Sequence, residues 1–92
     1  MSEYVSAQAV IEQAVSVFGA ERQTRKAVEE LTELSLALQR ALEGRGDNDN
    51  ICEEIADVEI MIAQLRFIFF SGKIDEWKDK KIARLAAKIK AQ

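Results

Sequence analysis

From Val5 to Phe18 the apolar positions Ala7, Val10, Ile11, Ala14, Val15 and Phe18 recur at steps of three and four, with Gln8, Glu12, Gln13 and Ser16 opposite. That spacing is one face of a helix. A second stripe, Val28, Leu31, Leu34, Leu38 and Leu42, predicts a helix over about 21–43, separated from the first by Gly19 as a stop signal. Gly44 to Asn50 is the clearest loop in the chain. Beyond it, Ile51, Ile55, Val58, Ile62, Leu65 and Phe69 mark a third helix over about 51–70, with Asn50 as its N-cap and Glu53 three residues on as in a capping box. This helix should end near Ser71-Gly72. Ile74, Trp77, Ile82, Leu85, Ala86 and Ile89 give a fourth over about 73–90. Four long helices with short links predict a single all-α domain over 1–92, an antiparallel four-helix bundle.

Composition narrows the function classes. Ninety-two residues make one domain with a small core. Pro is absent and Gly is 4, too few turn formers for a multi-strand β fold. His is 0 and Cys is 1, which removes histidine catalysis and zinc sites, so any metal must be a hard one held by oxygen. The single Cys52 rules out an internal disulfide and fits a reducing compartment. No stretch has the form of a signal peptide or a membrane span, so the expected location is the cytoplasm, with no membrane partner. Charge is uneven. Residues 1–72 hold 6 Lys/Arg and 13 Asp/Glu, and residues 73–92 hold 7 and 3, so a body of net -7 precedes a last helix of net +4. With net charge -3 and 7% aromatics, no nucleic-acid partner is expected.

The candidate chemistry lies in two acid pairs. Glu30 and Glu33 are three apart on the second helix, and Glu54 and Asp57 are three apart on the third, so each pair shares a helix face. Both pairs border the apolar stripes, and the short loop should bring them to one level of adjacent antiparallel helices. Converging carboxylates repel and lose hydration. Mg²⁺, which is small, oxygen-seeking and able to recruit phosphates, is the natural counter-ion. Solvated surface charge is the competing reading, with the chain a non-catalytic helical interaction module.

At these residues the sequence resembles the MazG-like all-α nucleoside triphosphate pyrophosphohydrolases. Their mark is ExxE, a spacer, then ExxD, here Glu30-Leu31-Thr32-Glu33 and Glu54-Ile55-Ala56-Asp57. The strings KAVEELTELSLAL and NICEEIADVEIMIAQL extend the likeness, which covers about 25–85 and is nearest to the short single-domain members of phage and prophage. The resemblance implies Mg²⁺-dependent cleavage (Mn²⁺ a substitute) of a nucleoside triphosphate between its α and β phosphates, in nucleotide-pool house-cleaning. It implies Glu30, Glu33, Glu54 and Asp57 as metal ligands, one of them orienting the attacking water. Lys81 and Arg84 match the family's Lys and Arg three residues apart, which meet substrate phosphates. Lys78 and Asp79 stand where relatives often carry Asn, and Lys78 joins the phosphate contacts.

One further pattern concerns assembly. Phe67, Ile68, Phe69 and Phe70 make the end of the third helix apolar on every side, and Leu36 lies off the stripe of the second. A small bundle cannot bury them all, which predicts a homodimer or homotetramer.

Overall fold

The structure is a computed structural model and describes residues 6–92. Val5, the expected start of the first helix, lies outside the described residues. Within them the chain is all-helical: α1 Ala7–Phe18, α2 Ala20–Leu42, α3 Asn48–Phe69 and α4 Ser71–Lys90.

Local chemistry sets the boundaries. The Ser6 hydroxyl accepts from the Ala9 amide at 3.1 Å and caps α1. Gly19, at φ 92°, is the one residue between α1 and α2, a backbone state that favours glycine. The third helix starts earlier than expected. Asp47, not Asn50, is its N-cap: the carboxylate accepts from the Asp49 amide at 3.1 Å, and Asn50 lies inside the first turn. An aspartate cap also supplies a negative charge to the helix start, which asparagine does not. The third helix also ends earlier. Ser71 and Gly72 do not terminate it; they open α4, and Phe70 alone breaks the two helices apart. Arg66 pins the joint by donating to Ser71 Oγ at 3.0 Å and to Asp75 Oδ1 at 2.9 Å.

Three helices form the packed body. The α2–α3 pair makes the largest interface, α1 packs on both, and α4 touches α3 alone. Past Ile74, every residue of α4 is exposed. The bundle is therefore three helices with a fourth standing off it.

The buried face of α2 is not its leucine stripe. Gln23, Ala27, Glu30 and Ala37 are buried and Leu34 and Ala41 half-buried, whereas Val28, Leu31, Leu38 and Leu42 are exposed, Leu42 at 89%. On α3 the matching row is Asn50, Glu54, Asp57, Met61, Gln64 and Ile68, with Ile55, Ile62 and Phe69 exposed. Both rows alternate steps of four and three, the seam spacing of packed helix pairs. Ala27, Ala37 and Ala41 are the small side chains of this seam, and most of the large apolar side chains of α2 lie outside it. Among the described residues no large side chain is completely buried.

Candidate metal centre

The antiparallel register of α2 and α3 is fixed by a buried bond in which Gln23 Nε2 donates to Gln64 Oε1 at 2.8 Å. Gln64 Nε2 in turn lies 3.7 Å from Met61 Sδ. Moving seven residues up α2 and seven back down α3, about two turns each, leads from Gln23 and Gln64 to Glu30 and Asp57. A further three residues lead to Glu33 and Glu54. The sequence thus sets both acid pairs at one level of the seam.

Glu30, Glu33 and Glu54 each bring a carboxylate oxygen into a group whose atoms all lie within 4.8 Å of one another. Glu30 is 8% exposed, Glu54 is half-buried and Glu33 is exposed, so the group opens to solvent on one side. Asp57 is half-buried and lies outside that tight set, close enough for its charge to act on Glu54. Among the described residues two side-chain oxygens are orphaned: Glu30 Oε2 and Glu54 Oε2 are buried and have no hydrogen-bond partner there. Buried carboxylate oxygens are rarely left so, because each forfeits its hydration.

The electrostatics agree with that strain. Burial, followed by the charges of Glu33, Asp57, Glu30 and Glu53, pushes the Glu54 carboxyl above its ordinary value. Lys26, one turn before Glu30, places its Nζ 3.3 Å from Glu30 Oε1. Its hydrogen bond to Glu30, reinforced by the charge of Glu30, raises the Lys26 pKa. Lys26 meets Glu30 Oε1 and leaves the orphaned oxygens unanswered. A donor set of clustered carboxylates, no sulfur and no imidazole fits a hard divalent ion such as Mg²⁺.

The cations of the last helix sit elsewhere. Lys78, Lys81 and Arg84 are exposed on α4, which makes no contact with α2. Within one chain they are not packed against the acids. Trp77 is 48% exposed beside them, with Lys80 Nζ 5.1 Å from its ring centre, and so is not a core residue. Pattern reading missed Lys26, whose signal was the Lys-x-x-x-Glu spacing, and the Gln23–Gln64 pair, whose signal was the alanine-rich row running beside it.

Compared with protein-family models, curated proteins and solved structures, the chain matches none.

Proposed function

We propose that this chain is a Mg²⁺-dependent nucleoside triphosphate pyrophosphohydrolase of the MazG-like kind, working as a homodimer or homotetramer. It adds water across the α–β phosphoanhydride and yields a nucleoside monophosphate and pyrophosphate. The observation that carries the reading is the pair of orphaned, buried oxygens of Glu30 and Glu54 converging with Glu33. Such a group is favoured by positive charge against it. Glu30, Glu33, Glu54 and Asp57 would hold Mg²⁺, with Mn²⁺ as substitute. The ion supplies charge neutralisation and a site for phosphate oxygens. The carboxylate that keeps an oxygen free of the ion orients the attacking water and takes its proton. Lys78, Lys81 and Arg84 meet the phosphate tail and stabilise the charge that gathers on the leaving pyrophosphate. The scheme needs no nucleophilic side chain, which suits a chain without His.

The test is a panel of ribo- and deoxynucleoside triphosphates with Mg²⁺ or Mn²⁺ and product identification. Monophosphate and pyrophosphate are expected from at least one member, and Glu54→Gln or Asp57→Asn should lower the rate on the order of 100-fold or more. Release of orthophosphate, or no turnover across the panel, would falsify the reading.

The exposed apolar faces of α2 and α4 favour a second reading, a non-catalytic helical interaction module. It expects Mg²⁺ to leave the melting temperature unchanged in the wild type and in both variants alike.

A further inference from the structure

The acid centre is open on one flank, and that flank leads to cations of the same chain. Arg22, Lys26, Glu29 and Glu33 follow one another at steps of four, three and four, which makes them one row along α2. All four are exposed, and the row runs beside the buried Gln23 and Glu30. Glu33 is the exposed member of the acid group, so the row passes along the side on which that group meets solvent. Toward the start of α2 it enters a cleft of about 510 Å³ walled by Phe18, Arg22, Gln23, Arg25, Lys26 and Glu29. Three cations and one carboxylate line this cleft, so a positive hollow adjoins a negative centre.

The three cations differ in what already holds them. Arg25 is paired with Glu21 at 2.8 Å. Lys26 belongs to both places: it lines the cleft, and its Nζ is 3.3 Å from Glu30 Oε1 in the centre. Arg22 is in no ion pair among the described residues, and its guanidinium lies over the Phe18 ring, 5.3 Å from the ring centre. A guanidinium rested on a ring keeps its N–H fork free for an anion and loses less freedom in meeting one. Lys26 and Arg22 stand four and eight residues before Glu30, about 6 and 12 Å along the helix axis. A ligand that suits both places starts at the carboxylates and carries further negative charge toward the start of α2. A linear polyphosphate has that form, whereas a single phosphate ends at the centre.

We infer that the cleft is a polyphosphate subsite, in which Lys26 meets the phosphate next to the acid centre and Arg22 meets the terminal one. The inference rests on the proposed hydrolase for the identity of the substrate, and it assigns the far end of the triphosphate, the part that leaves as pyrophosphate, to residues of the same chain as the acids.

The test is calorimetric binding of the two products, which requires no turnover. Inorganic pyrophosphate and the nucleoside monophosphate of a nucleotide that the wild type hydrolyses are titrated, with Mg²⁺ present, into the wild type, Arg22→Gln and Lys26→Gln. Both side chains are exposed, so neither change opens the core. Each variant should bind pyrophosphate about tenfold more weakly and the monophosphate less than twofold more weakly. Arg22→Lys, which keeps the charge, should recover most of the loss. Arg25→Gln, whose cation is already engaged by Glu21, should shift pyrophosphate binding less than twofold. Pyrophosphate affinity unchanged in Arg22→Gln and Lys26→Gln overturns the inference, as does a wild type that does not bind pyrophosphate. So does a loss that falls on the monophosphate instead, which would place the nucleoside in the cleft, or an equal loss in Arg25→Gln, the sign of a diffuse field. An active wild type whose pyrophosphate binding ignores both variants sinks the subsite and leaves the hydrolase. A wild type that hydrolyses nothing but binds pyrophosphate through Arg22 and Lys26 refutes the hydrolase and leaves the subsite.

Discussion

Glu54 concentrates the conflict in this protein. Its carboxyl is deprived of water and faced by Glu33, Asp57 and Glu30, so the folded chain holds its proton more tightly than the unfolded chain does. The consequence for stability has a definite sign. The contribution of Glu54 to folding is most favourable at low pH and is lost as pH climbs from the ordinary value of 4.5 through the raised one. Metal-free wild type should therefore lose melting temperature over that window, and Glu54→Gln should flatten the loss and melt higher at neutral pH. Mg²⁺ should raise the neutral-pH melting temperature of the wild type and do so far less in the variant. Thermal melts with and without chelator, from pH 4 to 8, check all three. The acids were legible in the sequence because i, i+3 spacing fixes a shared face whatever surrounds it. That Asp57 stands at the edge of the tight group was not legible, since it depends on side-chain reach across the seam. Nor was the buried Gln23–Gln64 bond, because the two glutamines stand 41 positions apart and neither identifies its partner in the sequence.

At the scale of elements, the pattern found four helices nearly to their ends, because long runs at a 3.6 period admit no other structure. It misjudged the turns where one side chain decides. Asp47 displaced Asn50 as the cap of α3, and Phe70 broke the chain ahead of the glycine expected to do so. On α2 it also assigned the wrong inner face. Periodicity reports where the large apolar groups lie, and on α2 Val28, Leu31, Leu38 and Leu42 are left exposed. The closeness of α2 and α3 has a testable root in the loop that joins them. A Cβ on Gly46 would sit 2.6 Å from both Cα and Cβ of Ala41, too near for any small adjustment. Gly46→Ala should cost about 1–3 kcal/mol by forcing the loop off the end of α2, read as the midpoint of urea unfolding. Its effect on turnover should be no more than the loss of folded protein.

For the whole molecule, the described helices include none long and apolar enough to cross a membrane, so the exposed leucines and phenylalanines are not a spanning segment. If the proposed homo-oligomer forms, a chain that leaves Leu31, Leu38, Leu42, Phe67, Phe69 and Phe70 exposed gains stability by association with another copy. The melting temperature should accordingly rise with protein concentration, by several degrees over a hundredfold range, as scanning calorimetry at micromolar and sub-millimolar concentrations would record. A flat dependence would mean the helices are held by something other than another copy. The joint at Phe70 gives this arrangement a further property. Since a single non-helical residue carries α3 into α4, a residue inserted there would change both the direction and the rotational setting of the last helix. One addition would swing Lys81 and Arg84 away from whatever they face while leaving every side chain intact. Natural variants of the chain should thus reject insertions at position 70, where length sets the aim of the last helix.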